Sequence, residues 1–317
     1  MPSEFTLIRR HFTPGTRHTA LAGGDDCALI APRAGRELAI TTDMLAEGTH
    51  FLPGADPEAL GHKTLAVNLS DLAAMGAEPR WAFLALALPD ADESWVAAFA
   101  RGFLSLAGRF DVDLAGGDTT RGPRNLCVTA IGEVAPGRAL RRSAARLGDD
   151  IYLSGCTGEA AYGLVTYRRR VEAVEADVAR CRYRLDRPMP RVALGLALAG
   201  IAHAAIDVSD GLVADLAHIC EESGLGAIVQ WSRVPQSSAL ATCSPEDRRR
   251  FVLSGGDDYE LVFTASVAAR REVAARAAEA ETPVTRIGTM VAGECVTVLD
   301  SSGSEMTLEQ AGYDHFR

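Results

Sequence analysis

The chain has 317 residues, 47% of them hydrophobic and 23% charged, a composition typical of two ordinary globular domains and one that excludes a disordered chain. A net charge of −10 argues against nucleic-acid binding through phosphate contacts, which requires a basic face. No apolar run opens the chain, and the longest uncharged stretch, residues 192–206, is too short to span a bilayer. We therefore expect a cytoplasmic protein that contacts neither membrane nor nucleic acid.

Two residue types restrict the chemistry further. The seven cysteines are scattered and never spaced as CxxC, which disfavours a disulfide scaffold and a zinc site. Lys63 is the only lysine, and no GK pair followed by Ser or Thr is present. The sequence therefore excludes a Walker A loop, and a lysine-based kinase or Schiff-base enzyme could use only Lys63.

The first half of the chain predicts alternating helices and strands. Residues 56–76 have the marks of one helix, with Asp56 as N-cap and Gly76 near the C-cap, so that Asn68 and Asp71 share a face. Further elements are a buried strand at 81–88, a helix opened by a capping box of Asp90 and Glu93, and strands at about 112–115 and 126–134. The segment GGDTT is predicted to form the turn between the last two strands.

A stretch rich in Gly and Arg, residues 136–150, separates this half from the next. We predict domains at 1–137 and 138–317. The second half predicts a helix near 189–205, a strand in AAIDVSDG, a helix at 212–222 and strands near 227–231, in YELVFTA, in VTRIGTM and in CVTVL. Both halves are therefore expected to be α/β, with mixed sheets.

Short aspartate clusters flanked by Gly, Thr, Ser or Asn recur along the chain. They read GGDD at 23–26, TTD at 41–43, NLSD at 68–71, GGDTT at 116–120, DVSDG at 207–211 and GGDDYE at 255–260. Glycine permits close backbone approach, and aspartate is a hard oxygen ligand that suits Mg²⁺. Any one cluster alone could be a helix cap or an Asx turn. Six together favour a metal and phosphate site in which cations offset the carboxylate repulsion, with Mg²⁺ or Mn²⁺ preferred over zinc.

Such a site suits phosphoryl transfer, which needs mainly positioning and neutralisation of charge on the phosphate oxygens. A catalytic base is not required if the acceptor is itself a phosphate monoester, because its second pKa lies near 6. His50, Arg142 and Tyr313 are candidate contacts to phosphate or to an aromatic ring. Their structural alternatives are a satisfied histidine, a surface arginine and packing of a C-terminal tail.

Seven motifs in order carry a resemblance to a known family. GDDCALI, TTDMLAEGTHF, AVNLSDLAAMGAEP, GGDTTRG, IDVSDGL, GGDDYEL and the terminal GYDHF resemble thiamine-monophosphate kinase, from about residue 4 to residue 316. That family is part of the group similar to aminoimidazole ribonucleotide synthetase. The resemblance implies an N-terminal α/β domain that forms a homodimer, a C-terminal α/β domain, and ATP bound between them. The activity it implies is phosphorylation of thiamine monophosphate to thiamine diphosphate by direct in-line transfer with several Mg²⁺ ions.

The resemblance also implies residue roles, with Asp43, Asp118 and Asp210 as the catalytic candidates. The implied metal ligands are Asp26, Thr41, Thr42, Asp43, Asp71, Asp118, Asp207 and Asp210. The residues implied to face ATP are Gly117, Asp118, Arg142 and Ser209. The implied contacts to thiamine monophosphate are His50, Asp257 and Tyr313.

Two positions depart from the family pattern. The family more often reads GGEDYEL, so Asp257 is one methylene shorter than the usual residue. The segment after Arg142 lacks the family's usual glycine and proline. Two alternative functions stay open: another ATP-dependent synthetase of the same superfamily, and a nucleotide or metal sensor without turnover.

Overall fold

The structure is a computed structural model that describes residues 4–169 and 173–313. The chain divides into two compact units, one of Met1–Leu72 with Ala77–Gly137, the other of Ala73–Gly76 with Arg138–Arg317. Each unit contains helices and a sheet in which parallel and antiparallel strand pairs are mixed, which confirms the predicted fold class. None of the described helices combines the length and the apolar character needed to cross a bilayer.

The first unit is built on a four-stranded sheet. Its elements are α1 (Glu4–His11), β1 (Thr19–Leu21), β2 (Leu29–Ile30), β3 (Glu37–Ala46), α2 (Pro57–Ala74, the end of which is assigned to the second unit), β4 (Glu78–Leu88), α3 (Glu93–Arg109), β5 (Asp113–Arg121) and β6 (Asn125–Val134). The sheet has the order β3-β6-β4-β5, and β1 pairs with β2 separately. The pair β4 and β5 is parallel, whereas β6 is antiparallel to both of its neighbours.

Helix α2 has the predicted position and caps. The Asp56 side chain accepts the N–H of Ala59 at 2.7 Å, which confirms Asp56 as a cap. Gly76 has a positive φ of 64°, and the next N–H, that of Ala77, returns to the carbonyl of Leu72. This is the pattern of a glycine C-cap. The helix is buried on nearly all sides, so its polar residues Asn68 and Ser70 are fully enclosed.

Two predicted details of the first unit are wrong. The N-cap of α3 is Asp92, whose carboxylate accepts the N–H groups of Ser94 and Trp95, so Asp90 lies outside the helix. The segment GGDTT lies within β5 and forms no turn. Its glycines permit close strand packing, since a Cβ at Gly117 would collide with the carbonyl oxygen of Leu84 on β4.

The second unit contains a six-stranded sheet of order β12-β9-β11-β7-β10-β8. Its elements are β7 (Asp150–Ser154), α4 (Glu159–Arg168), α5 (Glu175–Asp186), α6 (Val192–Leu198), β8 (Ala204–Asp207), α7 (Leu212–Ser223), β9 (Gly226–Gln230), α8 (Pro245–Ser254), β10 (Leu261–Ala265), α9 (Arg270–Glu279), β11 (Val284–Val291) and β12 (Val296–Leu299). All neighbouring strands are antiparallel except β9 and β12. The helix predicted at 189–205 is shorter, because the chain leaves it at Leu198 and turns through Gly200, with a φ of 86°, toward β8.

A large apolar core connects this sheet with α7 and α8. It includes Ile151, Ile206, Leu216, Val252 and Val262, all nearly or fully inaccessible to solvent. The core places the ends of β8 and β10 side by side, because Leu261 pairs with Asp207. The DVSDG and GGDDYE segments therefore meet at one edge of the sheet.

Candidate functional site

In the first unit, β3 and α2 bring two predicted metal ligands together. The backbone N–H of Asp43 donates to Oδ1 of Asn68 at 3.1 Å, and the Thr41 hydroxyl donates to the carboxylate of Asp71. Asn68 is itself anchored through its amide N–H to the carbonyl of Thr64. The shared helix face predicted for Asn68 and Asp71 is therefore the face that contacts β3.

The pKa of Asp43 is raised to about 7, first by burial and second by the nearby carboxylate of Asp71. Burial disfavours the charged form, and a like charge disfavours it further. The pKa of the Cys127 thiol is raised as well, first by burial and second by the charge of Asp43. The protein thus holds two carboxylates close enough for the charge of one to raise the pKa of the other.

The side chains of Thr42 and Asp118 lie on the face of the sheet opposite to the one that carries Asp43. Thr42 hydrogen bonds to Thr129 through the two hydroxyls at 2.9 Å. Asp118 is in register with Ala85, which pairs with Cys127, which pairs with Met44. Since side chains alternate across a sheet, this row faces away from α2, and Asp118 is exposed. We call this row, from Ile40, Thr42 and Met44 across to Asp118, the exposed sheet face.

His50 follows β3 and is part-buried. Its Nδ1 accepts the N–H of Ala46 at 3.0 Å, so the neutral ring carries its proton on Nε2. Lys63, buried on α2, donates to the carbonyl oxygen of His50 at 3.5 Å. The single lysine of the chain therefore contacts the backbone of His50, a residue predicted to bind the substrate. Asp26 lies exposed in the segment between β1 and β2.

In the second unit, the DVSDG segment forms the turn between β8 and α7. Asp207 is buried at the end of β8, while Ser209 and Asp210 are part-buried in the turn. Gly211 has a φ of 133°, and a Cβ there would meet the backbone of Ser254. Only glycine fits this position without displacing the neighbouring chain.

The GGDDYE segment lies directly against this turn. The N–H of Asp257 donates to the carbonyl of Ser209 at 2.8 Å, and a Cβ at Gly256 would collide with that same carbonyl oxygen. Asp257 and Tyr259 both have positive φ, 68° and 51°, which is uncommon for residues other than glycine. The Tyr259 hydroxyl lies 3.3 Å from Oδ1 of Asp257 and donates to it.

Tyr313 is half-exposed, and its N–H donates to the carbonyl of Asp210 at 3.0 Å. The structure thus brings Asp207, Ser209, Asp210, Asp257 and Tyr313 into one hydrogen-bonded group, which we call the loop junction. The rest of the GYDHF motif lies outside the described residues.

Arg142 lies in a 3-10 turn formed by Arg142–Ala144. Its carbonyl accepts the hydroxyl of Ser223 at 2.7 Å, and its guanidinium side chain is exposed. The backbone of Arg142 is therefore tied to the end of α7, whereas its predicted contact with ATP stays a prediction.

Three buried carboxylates near the loop junction have no role in the sequence analysis, although two of them, Asp258 and Glu260, lie within the GGDDYE cluster. Asp215, in the first turn of α7, accepts the N–H groups of Ser209, Asp210 and Gly211 through a single oxygen, each at 3.0 Å. Burial, and then the charge of Asp210, raise the pKa of Asp215 to about 7 although the three N–H bonds oppose this. Its position four residues after Gly211, in the first turn of a predicted helix, is the signal that could have revealed it.

Asp258 is the second of these carboxylates. It caps α4, accepting the N–H of Gly158 at 2.6 Å and that of Ala160 at 3.3 Å. Burial raises its pKa to about 8, against the effect of these two bonds and of Arg184. Burial therefore favours the protonated form of this carboxyl in the folded protein.

Glu260 is the third buried carboxylate, and its partners lower its pKa instead of leaving it raised. Burial alone would raise its pKa, but Arg191, Arg184 and the Ser154 hydroxyl all bond to it and hold the pKa below its usual range. One bond, from Arg191 Nε to Oε2, is 2.6 Å long. Glu260 is thus a buried, paired anion that anchors the end of the GGDDYE segment to α5 and to the chain before α6.

The described residues contain no group of three or more His, Cys, Asp or Glu side chains arranged to hold a metal ion. Within the separate units, the described residues bring together Asp43 with Asp71 and the members of the loop junction, and the wider convergence of the aspartate clusters stays a prediction. Mg²⁺ does not require a cluster of several acidic side chains, because it is usually bound by one or two carboxylates together with water and substrate phosphates. The carboxylates of Asp43 and Asp71 and the hydroxyl of Thr41 are hard oxygen donors, the kind of ligand that fits such an ion.

The family comparisons agree with this architecture. Residues 24–134 match the family model described as AIR synthase related protein, N-terminal domain, and residues 147–300 match AIR synthase related protein, C-terminal domain. The fold and the site thus define a two-domain protein of the AIR synthase related class.

The more similar relatives identify a family within that class. The chain is 44% identical to the thiamine-monophosphate kinase of Escherichia coli strain K12, over 99% of this chain and 98% of the relative. The crystal structure of thiamine-monophosphate kinase from Stenotrophomonas maltophilia K279a has a TM-score of 0.88 and 47% identity, over 96% of this chain and 98% of that chain. A structure of AaThiL complexed with AMPPCP and TMP has a TM-score of 0.77 and 31% identity, over 90% and 89%. The chain belongs to the thiamine-monophosphate kinase family, which confirms the resemblance inferred from the motifs.

Proposed function

We propose that this protein transfers the γ-phosphoryl group of ATP to thiamine monophosphate, producing thiamine diphosphate and ADP. The observation that carries the proposal is the loop junction, in which the motifs assigned to metal, nucleotide and substrate are hydrogen bonded to one another. Family membership supports it, as does a relative described in complex with AMPPCP and TMP. The phosphate of the substrate acts as the nucleophile.

The proposed transfer is direct and in-line. An oxygen of the thiamine phosphate forms a bond to the γ-phosphorus while the bond from that phosphorus to the β,γ-bridging oxygen breaks. A phosphate monoester has a second pKa near 6, so the attacking oxygen is already ionised at neutral pH. A general base is not needed, and the protein acts by positioning and by stabilising charge.

Mg²⁺ is the proposed metal, and bound ions would neutralise charge on the transferring phosphates. Asp43, Asp71 and the Thr41 hydroxyl are proposed ligands in the first unit because they are close together on β3 and α2. Asp207 and Asp210 are proposed ligands in the second unit. Thr42, Asp26 and Asp118 complete the proposed set on the strength of their motifs alone.

The nucleotide and the substrate have separate proposed contacts. Gly117, Asp118, Arg142 and Ser209 are proposed to face ATP. His50, Asp257 and Tyr313 are proposed to contact thiamine monophosphate, with the Nε2–H of His50 as a phosphate donor and the Tyr313 ring as a stacking surface. The hydrogen bond from Tyr259 to Asp257 would orient the Asp257 carboxylate toward a substrate donor.

A homodimer through the first unit is also proposed, because the exposed sheet face carries large apolar side chains. Ile40 is 62% and Met44 is 55% exposed. An apolar strand surface of this kind marks an interaction site. Light scattering should give a dimer for the wild type and a monomer for Ile40→Asp with Met44→Asp. Leu147→Asp, at a comparably exposed position in the second unit, should leave the dimer intact.

The deciding experiment is incubation with ATP, Mg²⁺ and thiamine monophosphate, with every product identified. We expect ADP and thiamine diphosphate in equal amounts and no free phosphate. Free phosphate with no dependence on thiamine monophosphate would instead favour an ATP-dependent synthetase. Binding of ATP without any turnover would favour a nucleotide or metal sensor.

A further inference from the structure

One side chain accepts three hydrogen bonds from the turn that follows Asp207 and contains Asp210. Three successive backbone N–H groups, those of Ser209, Asp210 and Gly211, point to the same oxygen of Asp215. Asp215 is only 2% exposed, so water does not compete for these bonds. Bonds from N–H to a carboxylate are about twice as strong as neutral ones.

The carbonyl groups of the same turn are also bonded. Val208 accepts from the N–H of Tyr259, Ser209 from that of Asp257 and Asp210 from that of Tyr313. These three donors belong to the GGDDYE segment and to the C-terminal segment. The three N–H groups therefore bond to Asp215, and the three carbonyl groups bond to the GGDDYE segment and the C-terminal segment.

Three convergent N–H groups before a helix of twelve residues would otherwise form an anion site, the arrangement by which other proteins hold phosphate directly. Here an internal carboxylate occupies that position. The turn cannot then offer these N–H groups to a phosphate, and the groups it can present to a ligand are side chains: the carboxylates of Asp207 and Asp210 and the hydroxyl of Ser209.

We propose that Asp215 is a positioning residue, which holds Asp207 and Asp210 for a divalent cation and prevents the turn from binding phosphate directly. The inference rests on the metal role given to these two aspartates in the proposed function. It adds that the backbone N–H groups of this turn do not bind the nucleotide phosphates, and that the geometry of the cation site depends on Asp215.

The test measures binding and not turnover. Binding of Mn²⁺ in the presence of AMPPCP is followed by electron paramagnetic resonance, for the wild type and for Asp215→Ala and Asp215→Asn. Asp150→Asn is the matched control. Asp150 is an equally buried carboxylate that accepts hydrogen bonds from Arg270 and Arg286. It is the first residue of β7 and pairs with Ala265 of β10, four residues from Leu261, which pairs with Asp207.

Asp215→Ala should weaken Mn²⁺ binding by about tenfold or more, because three buried N–H groups lose their acceptor and the turn relaxes. Asp215→Asn keeps a neutral acceptor and should weaken binding by only about threefold. Formate, which fits the space left by the carboxylate, should restore part of the affinity of Asp215→Ala. Asp150→Asn should lower the thermal midpoint while changing Mn²⁺ affinity by less than about twofold.

Wild-type affinity in Asp215→Ala, or equal weakening in Asp150→Asn, would overturn the inference. If Asp215→Ala does not fold, unchanged affinity in Asp215→Asn overturns it and weaker affinity supports it. A wild type that binds Mn²⁺ with AMPPCP but makes no thiamine diphosphate would refute the proposed function and leave this inference standing. A wild type that binds no Mn²⁺ with AMPPCP would refute the inference itself.

Discussion

The backbone N–H of Tyr313 donates to the carbonyl oxygen of Asp210 at 3.0 Å, which joins the C-terminal segment to the turn before α7. A second bond, from the Ser254 hydroxyl to the carbonyl of Gln310 at 2.5 Å, ties the same segment to the end of α8. Gly312 lies between these two anchors. The proposed substrate contact of Tyr313 thus depends on how closely this segment packs on the turn.

Gly312→Ala should weaken substrate binding. The added Cβ would collide with the Cβ of Ala214 and lie 2.7 Å from the carbonyl oxygen of Asp210, so the segment must move away. We expect the KM for thiamine monophosphate to rise by roughly fivefold or more, the loss expected for about one hydrogen bond with its packing. Steady-state kinetics measure it. Gly108→Ala is the control, since a Cβ there meets nothing within 4 Å, and an unchanged KM in Gly312→Ala would contradict the packing argument.

Asp43→Asn should abolish turnover without destabilising the fold. Asn removes the charge proposed to hold Mg²⁺, which should lower kcat at least about a hundredfold. Burial first, and repulsion from Asp71 second, raise the pKa of Asp43, and Asn removes the charge that both disfavour, so the thermal midpoint should stay the same or rise. Kinetics and thermal melts of this variant and of the exposed control Asp90→Asn provide the comparison. Near-normal activity in Asp43→Asn would refute the metal role.

Asp257→Glu should improve binding of thiamine monophosphate. The longer side chain restores the reach usual in the family at a position with a φ of 68°, and one better hydrogen bond corresponds to about a two- to fivefold lower KM. The KM for ATP should not change. Asp177→Glu, in the first turn of α5, controls for the added methylene. A higher KM for thiamine monophosphate would mean that Asp257, bonded to Tyr259, is already the fitted residue in this protein.

The buried carboxyl of Asp258 should make stability depend on pH. Its pKa is about 8 in the folded protein, against about 4 when unfolded, so only the folded state holds this proton between those values. The free energy of unfolding should therefore fall as pH rises from about 4 to about 8. The groups that face it are the N–H groups of Gly158 and Ala160, together with Arg184 and Glu260.

Asp258→Asn stays neutral and can still accept the N–H of Gly158, so it should lose less stability than the wild type between pH 6 and pH 8.5. Urea unfolding at the two pH values measures this difference, and the comparison between the two proteins cancels the other titrating groups. Equal losses in both proteins would show that Asp258 is already ionised at pH 6.

Much of the local structure followed from residue type alone. The caps of α2 at Asp56 and Gly76, and the shared face of Asn68 and Asp71, depend on residues within one helix. The role of the glycines in GGDTT depends on a contact between two strands and not on the local sequence. They indicated a turn by their type, yet in the structure Gly117 serves the close approach of β5 to Leu84 of β4. That contact depends on which strands pair, which the local sequence does not reveal.

The sequence by itself determined the family of this protein, because the aspartate clusters, the single lysine and the fixed order of the motifs are properties of the chain. Only the tertiary structure decided which aspartates share an environment. Strand register turned Asp43 toward α2 and Asp118 to the exposed sheet face, since a shift of one residue along a strand reverses the side a residue faces. Distant partners likewise decided that Glu260 is an ion paired with Arg191, whereas burial raises the pKa of Asp258. The charge of a buried carboxylate depends on neighbours that folding brings to it.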